Sequence, residues 1–180
     1  MKQLSIDIET LGTTLNSAIV QIGACEFDML TGKIVKTFSV NVQSDLDAEI
    51  ICTKGTIMFW LQQVKGNPKA ANEVFFKHAV DLPTALSELT KFIDGEEYEV
   101  WANGTKFDLG MLEYQYKLLD LPVPWKHNAD RCMRTLRMLC GHIDVDMGTY
   151  KEMCHTGLSD AIWQAKYIYH AMGLINIKDI

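Results

Sequence analysis

A short alternating segment near the N-terminus constrains the fold more than any other part of the chain. Residues i and i+2 of a β-strand point to the same face of a sheet, so Leu4, Ile6 and Ile8 are predicted to enter a core. Asp7 and Glu9 then project together from the opposite face. Two neighbouring carboxylates repel each other, and binding of a hard cation such as Mg²⁺ is a common use for them. On this segment alone, a metal site and an ordinary solvated strand end are equally good interpretations.

The pattern of the remaining chain predicts an α/β sandwich with a mixed sheet. The predicted strands cover 4–9, 18–28, 34–42, 98–103 and 125–130, and the first three form an antiparallel meander. Helices are predicted over 56–64, 83–93, 107–119, 133–140 and 157–172. The segments predicted to be irregular are 43–52, 65–71 and 141–154. Three strands followed by alternating strands and helices favour this architecture.

Composition limits the classes of protein to which the chain can belong. It has 180 residues with 48% hydrophobic content, which fits one domain over 1–180 with a sizeable core. The net charge of −6 argues against a protein that coats nucleic acid, but less against an enzyme whose metal ions supply positive charge. Five cysteines without a C-x-x-C pair favour a cytoplasmic location over a disulfide framework or zinc site. We expect no signal peptide and no membrane-spanning segment.

Three further polar residues are notable because of their positions relative to the predicted elements. Asp108 opens a helix that follows a strand and Gly104, and Asp160 lies in the first turns of the last helix. Each acid has an ordinary explanation, because the helix macrodipole favours a carboxylate near a helix N-terminus. His155 precedes Asp160 by five residues, which does not match one face of a helix. We therefore predict that His155 lies on the incoming loop, within reach of a metal held by carboxylates.

Together, the four acids and the histidine resemble the motifs of the DEDDh family of 3′–5′ exonucleases. The first motif of that family is Asp-x-Glu on the first strand, which matches Asp7 and Glu9. The second is an Asp in a Phe-Asp context after the fourth strand, which matches Asp108. The third is His-x-x-x-x-Asp at the start of the last helix, which matches His155 and Asp160. Asp-x-Glu alone is a weak signal, whereas all three motifs in this order are a strong one.

The resemblance covers almost the whole chain, and it is greatest to the RNase T-like branch found in bacteria and their phages. The segment 56–62, which contains Trp60, is similar to an aromatic-rich helix of that branch. One departure is Gly157, where many members carry Ala, and we expect this glycine to reduce helix stability more than chemistry. The loops over 44–53 and 65–81 match no feature of the family.

The resemblance implies an RNase H-like exonuclease fold, with a mixed five-stranded sheet flanked by helices. It also implies hydrolysis of phosphodiester bonds to nucleoside 5′-monophosphates with two Mg²⁺ ions, for which Mn²⁺ substitutes. Asp7 is then expected to bridge both ions. Glu9 and Asp160 are expected to complete the site of one ion, and Asp108 to hold the other. His155 is expected to deprotonate the attacking water.

The implied substrate is the 3′ end of a nucleic acid, either single-stranded or an overhang. The residues expected to contact it or to support that contact are Thr10, Leu11, Gly12, Thr13, Trp60 and Asn103. Stacking of Trp60 and Phe59 on terminal bases would tolerate any sequence. However, Trp60 also lies on the apolar stripe of its helix, which fits a core residue at least as well. The choice between RNA and DNA and the oligomeric state both stay open, although relatives often form homodimers.

Three other functions compete with the exonuclease interpretation. An endonuclease or RNase H-type enzyme on the same fold is disfavoured by the histidine of the third motif. A non-catalytic nucleic-acid-binding domain has no chemical need for all five polar residues. A thiol hydrolase based on Cys154 and His155 is the most remote, because adjacent side chains rarely reach the geometry of a nucleophile and its base.

Overall fold

A computed structural model describes residues 1–43 and 50–175, and for Lys151 the backbone alone. The strands are β1 (Lys2–Thr10), β2 (Ile19–Phe27), β3 (Ile34–Gln43), β4 (Ala79–Asp81), β5 (Tyr98–Ala102) and β6 (Asp130–Cys132). The helices are α1 (Lys54–Gly66), α2 (Pro68–Phe75), α3 (Leu82–Ile93), α4 (Asp108–Leu118), α5 (Met133–Cys140) and α6 (Gly157–Leu174). A 3₁₀ helix (Gly148–Met153) precedes α6. The predicted irregular segment 43–52 lies mostly outside the described residues.

The described strands form one mixed sheet in the order β4-β3-β2-β1-β5-β6. The first three pair in antiparallel fashion, which confirms the predicted meander, whereas β4, β5 and β6 each pair in parallel with a neighbour. The prediction of five strands was short by one, because the three residues of β4 are too few to give a periodic pattern. The last strand lies at Asp130–Cys132 instead of 125–130, and Trp125 packs against Tyr116 in the core.

The segment 65–71, which was predicted to be irregular, is helical except for Asn67, because α1 extends to Gly66 and α2 begins at Pro68. Pro68 opens α2, where its missing N–H costs nothing because the first N–H groups of a helix have no partner in the helix. The side chain of Asn67 caps this helix by accepting a hydrogen bond from the N–H of Ala70 at 3.3 Å. The proline and the asparagine are therefore start signals of a helix and not signs of a loop.

Two apolar layers cover the faces of the sheet and determine where the acids of β1 point. Leu4, Ile6 and Ile8 are buried in the layer with α3 and α4, as predicted from the alternation. The other layer lies under α5 and α6 and contains Phe27. β2 is buried along its whole length, as its mostly apolar sequence predicts. Asp7 and Glu9 therefore face the side of the sheet on which α6 packs.

The helix α1 differs from a fully packed amphipathic helix. Of its predicted apolar stripe, only Trp60 is buried, whereas Ile57, Leu61 and Val64 are between 41% and 55% exposed. Trp60 forms a small cluster with Val20 from β2 and neighbouring side chains. Helical spacing thus indicated the correct element but not how much of it is covered. None of the described helices has the length and hydropathy needed to cross a membrane.

Candidate functional site

Three carboxylates converge where the C-terminal half of β1 meets the N-terminal turns of α6. One oxygen from each of Asp7, Glu9 and Asp160 lies within 4.8 Å of the other two. The two strand residues reach this point because they are two positions apart and share a face. Asp160 reaches it because α6 crosses β1 and β2 with its first turn over the carboxylates. The predicted convergence of these three acids is therefore present in the structure.

The fourth acid, Asp108, lies beside this group and contacts the backbone of β1. The pairing of β1 with β5 ends at Ser5 and Trp101, so the N–H of Ile8 has no partner in β5. Asp108 is the first residue of α4, and its Oδ1 accepts a hydrogen bond from this N–H at 3.3 Å. Asp108 is 3% exposed. Because β5 ends at Ala102 while β1 continues to Thr10, Asp108 fills the place beside β1 that follows the last strand pair.

Burial and mutual repulsion raise the pKa values of these carboxyl groups. For Asp7 and Glu9, burial is the largest cause, and the neighbouring acids add to it. Burial also raises the pKa of Asp108 to about 7, against the opposing effects of two backbone N–H groups and of Arg134. A cation among these oxygens would relieve the repulsion, and carboxylate oxygens are the ligands that Mg²⁺ prefers. The donor set therefore fits a hard divalent ion.

His155 lies on the loop before α6, as predicted. Its side chain is exposed, and its backbone has φ of +66°, the left-handed region that a non-glycine residue seldom adopts. The backbone N–H of His155 donates a hydrogen bond to Oδ1 of Asp160 at 3.4 Å, and the ring meets Phe59 edge-on with 5.2 Å between centroids. The loop is thus tied to the acid site through its backbone, while the imidazole stays accessible.

Buried polar side chains hold the N-terminus of α6 against the sheet. The N–H of Gly157 donates to Oε1 of Gln21 at 2.7 Å, and the amide of Gln21 donates to Asn41 at 2.7 Å. Asn41 in turn donates to the backbone oxygen of Glu73 in α2. A buried amide must find partners to avoid a desolvation cost, so this chain specifies where the helix begins. Sequence reasoning missed it, although Gln21 is a polar residue in an otherwise apolar strand.

Close packing of two glycines corrects the expectation for Gly157. A Cβ on Gly157 would lie 2.8 Å from the nitrogen of Gly23 and 3.0 Å from the carbonyl oxygen of Asp7. A Cβ on Gly23 would lie only 2.0 Å from the backbone of Gly157 and Leu158. Alanine at 157 would therefore push α6 away from the sheet. In this chain, the glycine is needed for close approach, which outweighs its cost in helix propensity.

Gln164 is a second residue that sequence reasoning missed. Its Nε2 donates a hydrogen bond to Oδ1 of Asp7 at 2.7 Å, and its Oε1 accepts one from the hydroxyl of Ser5 at 3.4 Å. Gln164 follows Asp160 by four residues, so both lie on the face of α6 that meets β1. The sequence signal that could have identified Gln164 is a polar residue at this spacing on a buried helix face.

The loop after β1 is held in place by its own bonds and by α1. The hydroxyl of Thr10 donates to the backbone oxygen of Gly12 at 2.6 Å, and the indole N–H of Trp60 donates to the backbone oxygen of Thr10 at 3.0 Å. Leu11 packs on the cluster of Trp60, and Thr13 is exposed. Trp60 is 5% exposed, so it supports the loop from inside instead of offering a face on which a base stacks. Of the aromatic pair, partly buried Phe59 is the one beside His155.

Asn103 directly follows β5, five residues before Asp108. It is partly buried, and its Oδ1 has no hydrogen-bond partner among residues 1–43 and 50–175. It lines a cleft together with two arginines of α5. Its predicted supporting role therefore stays a prediction, and its neighbours in the structure are basic.

Comparison with protein families gives one match along nearly the whole chain. Residues 2–172 match the sequence model of the 3′–5′ exoribonuclease Rv2179c-like domain. No curated protein sequence matches this chain significantly. The matched range spans the positions of all the acids of the site, of the histidine and of the glycines between α6 and the sheet.

Several solved nuclease structures share the fold at low sequence identity. The nuclease domain of 3′hExo, a DEDDh family member bound to rAMP, has a TM-score of 0.62 at 14% identity, covering 97% of this chain and 92% of that one. The zinc-bound complex of E. coli exonuclease I with single-stranded DNA has a TM-score of 0.70 at 11% identity, with coverages of 98% and 41%. A 3′-exonuclease that recognises the histone mRNA stem-loop has a TM-score of 0.61 at 15% identity, with coverages of 97% and 82%. The chain thus has the RNase H-like fold of DEDDh exonucleases and spans about two fifths of exonuclease I.

Proposed function

The chain belongs to the family of 3′–5′ exoribonuclease Rv2179c-like domains, and we propose that it removes nucleotides from the 3′ end of RNA with divalent metal ions. The observation that carries this proposal is the convergence of the oxygens of Asp7, Glu9 and Asp160 within 4.8 Å. Asp108 lies against the same strand, and the backbone of His155 binds Asp160. These are the residues that match the three DEDDh motifs. The finer likeness to the RNase T-like branch rests on the segment 56–62, which carries Phe59.

Each residue of the site has a distinct proposed task. Asp7, Glu9 and Asp160 would hold the metal, and Asp108 would complete the ligand set. When bound, divalent ions such as Mg²⁺ supply positive charge to the attacking water and to the leaving oxygen. The imidazole of His155 accepts the proton of that water, which its exposed position beside Asp160 allows. Gln164 positions Asp7 through its hydrogen bond.

The reaction class is tested with matched RNA and DNA oligonucleotides that are labelled at either end. With Mg²⁺ or Mn²⁺, we expect stepwise release of nucleoside 5′-monophosphates from the 3′ end, faster from RNA than from DNA. Excess EDTA should stop the release, because the carboxylates alone cannot supply positive charge. Internal cuts would indicate the endonuclease alternative, and binding without cleavage would indicate a non-catalytic domain. Undiminished turnover in EDTA would exclude a metal-dependent site.

Replacing His155 with Ala should lower turnover by about 10²–10⁴-fold, the usual contribution of a general base. The backbone N–H that binds Asp160 is retained in this variant, so metal affinity and melting temperature should change little. Turnover and a Mn²⁺ melting titration measure the two effects separately. His78→Ala is the control, because His78 is also exposed and lies directly before β4. A His155→Ala protein that loses its metal-induced stabilisation would assign this histidine to metal binding instead.

A further inference from the structure

A basic cleft lies at the same edge of the sheet as the acid site. β1, β5 and β6 run parallel, so their C-terminal ends meet at one edge, and α5 begins directly after β6. Ligands of α/β proteins usually bind at this edge. The cleft has a volume of about 470 Å³, and its lining consists of Asn103, Arg134, Arg137, Met138, Gly141 and His142.

The two arginines of the cleft are available for a ligand. Arg134 is exposed, and within residues 1–43 and 50–175 its guanidinium group donates no hydrogen bond and forms no ion pair. Its guanidinium lies over Gly104, where a Cβ would come within 3.0 Å of Cζ. Gly104 has φ of +115°, which side chains rarely adopt. This glycine therefore leaves room for the guanidinium at the end of β5, four residues before Asp108.

Arg137 lies one helical turn beyond Arg134 on the same face of α5. Its Cζ is 5.6 Å from the ring centroid of Trp163 in α6, which holds the side chain by a cation–π contact and leaves its donors exposed. Arginine donates two parallel hydrogen bonds to a phosphate group, so two exposed guanidinium groups that line one cleft are suited to bind one.

The negative charge of the whole chain explains why a local group of arginines matters for binding a nucleic acid. The net charge of −6 repels a polyanion, and the acids of the site concentrate part of that negative charge where the strand would bind. A nucleic acid strand therefore needs local cations where it leaves the carboxylates. The guanidinium group of Arg134 lies over Gly104, four residues before Asp108. The basic cleft thus lies beside the segment that leads from β5 to Asp108.

We propose that Arg134 and Arg137 bind a phosphodiester group of the substrate strand on the 5′ side of the scissile bond. The proposal rests on the proposed function, since an exonuclease that holds the 3′-terminal nucleotide at the carboxylates leaves only the 5′ part of the strand to contact other surfaces. The arginines would then raise affinity for strands longer than two nucleotides without taking part in the cleavage.

The length of the substrate provides the test. A dinucleoside monophosphate with a 5′-hydroxyl group has the scissile phosphate alone, whereas a longer oligoribonucleotide adds phosphates on the 5′ side. For Arg134→Gln/Arg137→Gln, we expect kcat/KM to fall by roughly 10-fold or more on the longer strand, the effect of losing charge-assisted hydrogen bonds. The dinucleoside monophosphate should be cleaved as by the parent. The slope of log affinity against log salt should decrease by about 0.7 for each phosphate that the variant no longer neutralises.

A matched control removes two exposed cations elsewhere. Lys33→Gln/Lys91→Gln makes the same change in net charge at the β2–β3 turn and on α3, away from the edge that carries the cleft. It should affect neither substrate. Equal losses of the arginine variant on both substrates would place the arginines at the scissile phosphate, and unchanged kinetics on the longer strand would show that the cleft does not bind it. Either result overturns the proposal.

Binding measurements separate this proposal from the proposed function. Anisotropy of a labelled single-stranded oligoribonucleotide in EDTA, at low salt, reports affinity without turnover. If the parent binds the strand but never cleaves it, the proposed function fails. The affinity of the arginine variant for the strand still tests the role of the cleft in that case. Arg134→Gln alone avoids the packing of Arg137 on Trp163, so it decides the case if the double variant folds poorly. Equal affinity of this single variant and the parent would contradict a role for Arg134.

Discussion

Replacing Asp7 with Asn is expected to abolish turnover and to leave the metal-free protein at least as stable as the parent. Asparagine has nearly the same volume, and its Oδ1 can still accept the hydrogen bond from Gln164. The substitution removes one negative charge from the centre of the acid cluster, whose members raise the pKa of Asp7. A residue kept for function at a cost in stability shows this combination of effects.

Melting curves in EDTA and across a Mn²⁺ titration measure this prediction. Metal at 100 times its dissociation constant stabilises the parent by roughly 2.7 kcal/mol, and Asp7→Asn should lose most of this gain. Asp144→Asn, at an exposed position, is the control and should keep it. If the metal-free Asp7→Asn protein melts well below the metal-free parent, Asp7 is a structural residue, and the proposed metal site loses its central ligand.

The same comparison has an expected dependence on pH. The folded site raises the pKa values of Asp7 and Glu9, and that of Asp108 to about 7, so the folded state binds more protons than the unfolded state above pH 4. Stability contributed by these groups is therefore lost as pH rises toward neutrality. In EDTA, the advantage of Asp7→Asn should increase between pH 5 and pH 8. Saturating metal should remove the difference in pH dependence by neutralising the cluster in the parent.

Replacing Gly23 with Ala adds one methyl group, and we expect it to disturb the structure more than a methyl group added at any other position of the site. The new Cβ would lie 2.0 Å from the carbonyl carbon of Gly157 and from the nitrogen of Leu158, both of which belong to the backbone. Neither can rotate away, so α6 must move off the sheet. We expect a loss of about 3 kcal/mol of stability, at the upper end of overpacking effects, which lowers the melting temperature by roughly 6–12 °C.

Activity should fall with stability in Gly23→Ala, because α6 carries Asp160 and Gln164. Thermal melting and turnover well below the melting temperature measure the two effects. Gly173→Ala is the control on the same helix, where a Cβ meets nothing within 4 Å, and it should stabilise by about 0.5–1 kcal/mol. A Gly23→Ala protein with the melting temperature and turnover of the parent would mean that the two glycines are not in contact.

Local patterns in the sequence were enough to predict the elements that carry the site. Alternation in 4–9 predicted both the buried face of β1 and the shared face of Asp7 and Glu9. The spacing of His155 and Asp160 predicted a loop residue followed by a helix, which the structure confirms. These features depend on residues a few positions apart, so strand and helix geometry alone determine them.

Contacts between distant parts of the chain were decided by the tertiary structure. Gly23 approaches Gly157, and Gln164 donates a hydrogen bond to Asp7. Both contacts join residues more than one hundred positions apart, so the periodicity of neighbouring residues cannot predict them. The burial of Trp60 beside exposed Leu61 likewise depends on what packs against α1. The sequence by itself thus predicted which residues are candidates for the chemistry. Only the packing of α6 on the sheet decided how these side chains come together, because the backbones of α6 and β2 approach closely where Gly157 lies against Gly23.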